Sequence, residues 1–447
     1  MSKTIIVIGG GISGLTTLHY LKQKYGGRDD VRVILLEKSV GLGGTIHSIT
    51  RRNSLFETGP NGFLDSRPRT LELVRELDLG TEVVKANESA GDRYVALDNT
   101  LYAFPTTSAR FLSFRPFGWR DKARVFAEIF VPKGNVPNES VYAFGRRRFG
   151  KKFADIFLDP LVSGIYAGDA GEVVLKAAFG RIYELEQRYG SLSKAMMNLG
   201  KGGMPNGTLT SFRRGQAQLI AELGRRYSKV ILSNQEATYV TRAGERFGVE
   251  TIEDRHDADE VFVSTPAFQA AAILRPLSPS LAQILETIRY TSLAVVGLVF
   301  PRKAFRRPPE GFGYLVPSSE NKEVLGVLWE SNIFPHRCAP EDILMRVMIG
   351  GARHPDVLSK SREALTALAL KEIQATLKTD ALPIETFFVQ WPRAIPQYDA
   401  SYVAAERGLE EELKKSPGLY LVANYRHGVS LNDCIENAYQ AAQGSSL

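Results

Sequence analysis

The opening segment, TIIVIGGGISGLTTLHYLKQKYGGRDDVRVILLEK, constrains the fold more than any other part of the chain. Residues 5–8 are a run of Ile and Val, the composition of a short buried strand. Gly9, Gly11 and Gly14 follow in G-x-G-x-x-G spacing and lead into a helical pattern over about residues 13–25. A second apolar run, residues 31–36, ends at Glu37, 23 positions after Gly14. Each piece has a mechanical reason. Gly9 permits a tight turn, Gly11 lets backbone approach a pyrophosphate, and Gly14 lets the helix pack on the sheet. The helix N-terminus offers unpaired N–H groups to phosphates. A carboxylate at the tip of the second strand can hold a ribose hydroxyl. Glycine loops alone are common. Strand, turn, helix, second strand and acid in this order predict dinucleotide binding.

The next glycines narrow the cofactor. Gly43 and Gly44, in KSVGLGGTIHS, stand six residues after Glu37, where a nicotinamide enzyme would continue with strand–helix repeats. A glycine doublet here predicts backbone running along a long, extended cofactor. The pattern resembles the family of FAD-dependent oxidases and desaturases that includes amine oxidases, phytoene desaturases and protoporphyrinogen oxidases.

At 447 residues the chain exceeds one simple core, so two or three domains are expected. No apolar run reaches the ~18 residues that cross a bilayer, and no secretory signal is expected. Only Cys338 and Cys434 are present, which fits a reducing compartment. The net charge of +7 is unevenly spread: residues 110–152 hold eleven Lys/Arg against three Asp/Glu. There Phe111, Phe114, Phe117, Trp119, Phe126 and Phe130 are interleaved with the basic residues. This predicts a basic, mostly helical unit able to lie on an anionic membrane surface. Nothing in the pattern predicts nucleic-acid binding. The expected fold class is α/β plus α+β. A discontinuous Rossmann-type FAD-binding domain would comprise 1–87, 208–269 and 401–447. A mostly helical membrane-binding domain would comprise 88–207, and an α+β substrate domain 270–400. Within the last, strands are predicted near 293–300, 313–316 and 344–349, with a helix over 362–377.

The chain closes on LYLVANYRHGVSLNDCIENAYQAA, an apolar run followed by a turn and a helical pattern. Ser430 and Asp433 have capping-box spacing, so a helix is predicted to begin there. Its N-terminus, aimed at the pyrimidine edge of a flavin, would stabilise the negative charge of the reduced ring. On that reading Gly428, Val429, Ser430 and Leu431 lie against the flavin.

Five stretches are more specific: GPNGFLDSRP, LVSGIYAGD, GFGYLVPSSE, WPRAIPQYDASY and GVSLNDCIENA. Together they resemble the oxygen-dependent protoporphyrinogen oxidases of haem biosynthesis, over essentially the whole chain. The resemblance implies six-electron oxidation of protoporphyrinogen IX, with three O2 reduced to H2O2. It implies FAD contacts at Gly9, Gly10, Gly11, Ile12, Ser13 and Gly14, at Glu37 and Lys38, and at Thr45. Further FAD contacts are implied at Gly59, Pro60, Asn61 and Gly62, at Ala237 and Asn424, and at Val429, Ser430 and Leu431. Gly43 and Gly44 join them from the glycine reading. The implied substrate pocket holds Arg93, Leu161, Gly164, Phe312, Leu315 and Met348, with Arg93 as a propionate clamp. Asn61 and Thr45 depart from the animal members, which carry a basic and an aromatic residue there.

The cofactor carries the hydride chemistry, so no catalytic acid–base dyad is expected. The six histidines show no metal spacing, and no metal is predicted. Cys434 is expected to be a buried structural thiol. The implied location is peripheral, on the cytoplasmic side of the inner membrane, and a homodimer stays open. Two other readings remain: oxidation of coproporphyrinogen III on the same scaffold, and a non-catalytic flavin-binding membrane partner. Turnover of the two porphyrinogens in air separates all three.

Overall fold

The computed structural model describes residues 3–199 and 207–446. Residues 1–2, 200–206 and 447, which belong to the expected domain spans, lie outside the described residues. In chain order, the elements that place the site begin with β1 (Lys3–Ile8), α1 (Ile12–Lys24), β2 (Val31–Glu37), β3 (Arg93–Leu97), β4 (Thr100–Ala103) and α2 (Asp159–Tyr166). Next come β5 (Ile231–Ser233), β6 (Glu260–Val263), β7 (Leu293–Pro301), β8 (Gly313–Leu315), β9 (Val324–Leu328) and β10 (Asp342–Gly350). The chain ends with α3 (Arg362–Leu377), β11 (Glu385–Trp391), β12 (Leu419–Leu421) and α4 (Leu431–Gly444).

Two sheets organise these elements in a mixed α/β fold. The first is parallel, in the order β5-β2-β1-β6-β12. Its strands are apolar on both faces, as a sheet covered on both sides requires. Ile5, Val7, Val33 and Leu35 face one core, with Leu15 and Leu18 of α1 and Ile435 and Ala438 of α4. Ile6, Ile8, Ile34 and Val261 face the other, with Ala270, Leu281, Tyr402 and Leu409. The two chain ends therefore share one layer: α1 and α4 pack side by side over a sheet that β12 completes.

The second sheet has seven strands in the order β11-β7-β10-β9-β8-β3-β4. One face of β7 and β10, with Val296, Leu298, Met345 and Val347, packs under Leu365, Ala369 and Ile373 of α3. The opposite face holds Val295, Leu344 and Met348 and looks back at the first lobe. The helix predicted over 362–377 is α3, and the three predicted strands correspond to β7, β8 and β10 with ends shifted by at most two residues.

Two segments lie elsewhere than composition placed them. The hairpin β3–β4 falls within the expected helical span 88–207. It instead completes the second sheet, with Arg93 in register with Gly313 of β8. Its two-residue turn, Asp98–Asn99, has both residues at positive φ (49° and 54°), a primed hairpin turn of the kind Asp and Asn adopt. That signal was outweighed by the basic, aromatic stretch that follows. Helices Ala267–Leu274 and Pro279–Glu286 fall largely in the expected span 270–400, yet bury their alanines and leucines on the first sheet.

The remaining helical segment, from Ser108 to Leu199, is held by a buried ion cluster. Arg148, fully buried, donates to Glu128 at 2.8 Å and to Glu186 at 2.6 Å. Thus part of the basic run is internal and does not face solvent. Phe114 and Phe117 are buried as well, whereas Trp119, Phe126 and Phe130 are exposed. Asp159, at the start of α2, ties the segment to the second sheet by pairing with Arg353 and accepting from Ser318 N. Among the described residues no helix is long and apolar enough to cross a membrane.

Candidate active site

A single cavity of about 1050 Å³ runs from the N-terminal glycine turn to the face of the second sheet. At its first end the turn is built by close approach. Gly9 has φ +108°, and an added Cβ at Gly14 would stand 1.9 Å from Gly9 O, so α1 rests directly on the turn. Gly11 differs: it caps α1 with φ −76°, and a Cβ there would meet nothing within 4 Å. The space above Gly11 is cavity, and no side chain caps the helix N-terminus that faces it. The second glycine pair is brought to the first, with Gly43 N donating to Gly10 O at 2.9 Å. Glu37 takes Gly10 N on Oε2 at 2.6 Å and Ser39 N on Oε1 at 2.8 Å. Both carboxylate oxygens keep a lone pair for a further donor.

At mid-length the wall is made by Thr45, Ile46 and the loop from Thr58 to Gly62. An added Cβ at Gly59 would lie 2.3 Å from Thr45 O, so the two segments require a bare backbone there. Opposite stands the N-terminus of α4. Ser430 Oγ accepts from Asp433 N at 3.1 Å, and Asp433 Oδ2 accepts from Ser430 N at 3.2 Å, forming the predicted capping box. The preceding turn is pinned by Tyr398, whose hydroxyl donates to Asn424 O at 3.0 Å and accepts from Gly428 N at 2.8 Å. Tyr398 stacks on Tyr402 at 4.0 Å between ring centres. Cys434 lines the cavity one helical turn inside α4, and burial pushes its thiol up to about 12, so it stays neutral.

The far end is apolar. Phe312, Leu315 and Met348 project from β8, its approach and β10. Leu161 and Gly164 come from α2, where a Cβ at Gly164 would press to 2.9 Å on Leu315. Arg93 stands beside them, its guanidinium 4.7 Å from the centre of the Phe312 ring. Burial alone lowers the Arg93 pKa, and no carboxylate partners it among the described residues. By surface area Arg93 is nonetheless exposed, because the space around it is the cavity itself. No Asp or Glu lines the cavity among the described residues, and its cations are Arg93 and Arg346.

Of the sequence-predicted residues, Gly11, Ile12, Ser13, Gly43, Gly44, Thr45, the 59–62 loop, Asn424 and Val429 to Leu431 line this cavity, as do all six proposed for substrate. Gly9, Gly10, Gly14 and Glu37 build the turn beneath it. Lys38 is exposed beyond the tip of β2, and Ala237 is buried in a separate three-stranded antiparallel sheet; neither lines the cavity. Further lining residues, among them Phe104, Phe153, Phe157 and Ile165, carry no sequence signal, and Phe111, expected to face a membrane, is half-buried in the cavity wall. A buried ion cluster under the 59–62 loop carries no such signal either. Arg337 donates to Glu330 at 2.6 Å, to Glu57 at 3.3 Å, to Asn61 O at 2.9 Å and to the Asn61 side chain. Scattered over nearly three hundred residues, that cluster has no local spacing to betray it.

The geometry suits a long cofactor with an anionic middle: open space over a helix N-terminus at one end, a second helix N-terminus further along, and an apolar pocket beyond. The flavin-containing amine oxidoreductase model matches residues 12–444. The chain belongs to that family. It is an oxidoreductase, and its cofactor is FAD. It is 27% identical to a coproporphyrinogen III oxidase of Bacillus subtilis, over 98% of this chain and 97% of that protein. It is 30% identical to the chloroplastic protoporphyrinogen oxidase of rice (99% and 88%) and 29% identical to human protoporphyrinogen oxidase (99% and 98%). Among solved structures it resembles a proposed protoporphyrinogen oxidase from Exiguobacterium sp. 255-15, with TM-score 0.85 at 22% identity, covering 99% of this chain and 98% of that one. A putrescine oxidase variant shares the fold at TM-score 0.72 and 13% identity, covering 99% and 98%.

Proposed function

We propose that this flavoprotein oxidises protoporphyrinogen IX to protoporphyrin IX, using O2 and releasing H2O2. The observation that carries the reading is the far end of the cavity: apolar walls, no carboxylate, and one unpaired arginine at the side. A porphyrinogen is a large apolar macrocycle whose only charges are its propionates. Phe312, Leu315 and Met348 would hold the ring by apolar contact, and the Leu161–Gly164 turn of α2 would close over it. Arg93 would fork onto one propionate and so set which edge of the ring faces the cofactor. FAD held there would supply the hydride acceptor for the substrate carbon and the route of the electron pair to O2. Three rounds remove six electrons and six protons, matching three O2 reduced to three H2O2.

The cavity's glycine turn and helix N-termini support this set of cofactor contacts. The first sheet serves as a Rossmann-type FAD-binding domain, with Gly9–Gly14 at the phosphates and Glu37 at a ribose. The α4 N-terminus, its own N–H groups satisfied only in part by Ser430, favours negative charge on the flavin's pyrimidine edge.

The helical segment is proposed to hold the enzyme on an anionic membrane surface. Trp119, Phe126 and Phe130 are 74%, 53% and 86% exposed beside basic side chains. The cytoplasmic face of an inner membrane supplies such a surface.

Coproporphyrinogen III is the second reading, favoured by the near-full-length match to the B. subtilis protein. It carries four propionates, against the two cations, Arg93 and Arg346, that line the cavity among the described residues. The test is purified yellow protein in air, with porphyrin fluorescence followed from each porphyrinogen. Faster turnover per KM on protoporphyrinogen IX is expected. FAD-loaded protein that oxidises neither would overturn the reading.

A further inference from the structure

The hydrogen bonding of the cavity wall fails to close at Arg346. This residue lies on β10 two positions before Met348, on the same face of the strand, and is 5% exposed. Its Nη2 donates to Gly59 O at 2.6 Å. The nearest carboxylate oxygen, Glu330 Oε1, is 3.9 Å from Nη1, too far for a hydrogen bond. The other oxygen of Glu330 is already taken by Arg337. Nε and Nη1 of Arg346 are left without a partner, and so is Asn61 Nδ2 beside them. Burial pulls the guanidinium's pKa down, and Glu330 and Glu57 restore only part of it. Burial raises the Glu57 pKa, opposed by Arg337 and by donation from Gln216 N and Ser48.

Packing gives no reason for a cation at this register. Leu344 and Met348 occupy the same face of β10, and a third apolar side chain would complete the row. A desolvated guanidinium with open donors costs stability unless negative charge comes to it. It lines the cavity at the joint between the 59–62 loop and the second sheet. Two features separate it from Arg93. It is held rigidly by Gly59 O, and it is deep in the wall, where a propionate could reach it only by burying a second charge.

We infer that Arg346 is a fixed positive charge for the redox centre: it favours the electron-rich state of bound FAD and raises its reduction potential, and it does not anchor the substrate. This rests on the FAD-dependent oxidation proposed above. In a low-dielectric wall, a charge that need not reorganise when electrons arrive acts at full strength. Arg337, Glu57 and Glu330 are positioning groups that keep the 59–62 loop, and through it Gly59 O, in place.

The test uses FAD-loaded wild type, Arg346→Met and Arg346→Lys. Each is equilibrated anaerobically against a dye of known potential, without porphyrinogen. At a fixed dye potential, Arg346→Met is expected to lower the reduced-to-oxidised flavin ratio at least tenfold, which is about 30 mV for a two-electron couple. Arg346→Lys should fall between the two. With protoporphyrinogen in air, kcat should drop in the methionine variant while KM holds. An unchanged potential at full FAD occupancy overturns the inference, as does a raised KM with unchanged potential, which would make Arg346 a substrate anchor. If Arg346→Met and a second neutral variant, Arg346→Gln, both fold but lose FAD, Arg346 is a strap for the 59–62 loop and the inference falls. Failure of the porphyrinogen reading looks different: wild type would hold FAD and show the potential shift on substitution, yet oxidise no porphyrinogen.

Discussion

Replacing Arg93 with alanine isolates the proposed substrate clamp. The side chain has no carboxylate partner, and its one ring contact is with Phe312 at 4.7 Å. Its backbone stays in the β3–β8 ladder whatever the side chain. Loss of an exposed cation–π contact costs about 0.5–1 kcal/mol, offset in part by release of a desolvated charge, so stability should change by less than about 1 kcal/mol. A hydrogen bond to a charged group is worth about 1.5–3 kcal/mol. Because the clamp holds ground and transition states equally, kcat/KM should fall about ten- to a hundredfold with most of the loss in KM. FAD content should be unchanged. Arg93→Lys should recover only part, since an ammonium cannot make the paired fork. Steady-state fluorescence assays across a porphyrinogen series give both constants. An unaltered KM in Arg93→Ala would place the clamp elsewhere, and loss of FAD or of folded protein would make Arg93 structural.

Other expectations follow from the same geometry. Gly11→Val meets no protein atom, so it should fold normally yet purify without FAD, as absorbance at the flavin band will show; tightly bound flavin would remove Gly11 from the phosphate site. Ser430→Ala removes the cap of α4 and should cost about 0.5–2 kcal/mol in denaturant unfolding, with no loss if the cap is idle. His19 is buried between Glu76 and Tyr227, and burial lowers its pKa below the ordinary 6.5. Its neutral form is favoured in the fold, so the stability it adds is present above about pH 6.5 and is lost as pH falls through the lowered value; Tm should therefore decline on acidification less steeply in His19→Asn than in wild type. Vesicle flotation should recover the protein on anionic lipid in a salt-dependent way and much less after Trp119→Ser with Phe130→Ser. Equal recovery on neutral vesicles would count against membrane attachment.

What the sequence disclosed and what it withheld divide along range of interaction. The glycine turn, the carboxylate at the end of β2 and the Ser430–Asp433 cap are local devices, each confined to a few residues, and each is where the spacing put it. The place of Gly43 and the 59–62 loop in the cavity wall also has local turn chemistry behind it. Phe312, Leu315 and Met348 were reachable only through likeness to a family, because an apolar residue reads the same whether it fills a core or walls a pocket. The hairpin β3–β4 shows how one scale hides another: its Asp98–Asn99 turn was legible, but the charge pattern downstream claimed the segment. Counting charge also overstates the surface, since Arg148 pairs with Glu128 and Glu186 in the interior. Tyr398 sits inside a quoted motif, yet its work of joining Asn424 O to Gly428 N depends on where β12 and its loop return. The Glu57, Glu330, Arg337 and Arg346 cluster is the extreme case. Glu57 comes from the first lobe and the other three from the second. No window of sequence contains them, and each alone would be taken for a surface charge. Buried together, they join the 59–62 loop to the second sheet. A charge that is expensive to bury, held in the cavity wall where the 59–62 loop meets the second sheet, therefore points to chemistry that no motif in the sequence displays.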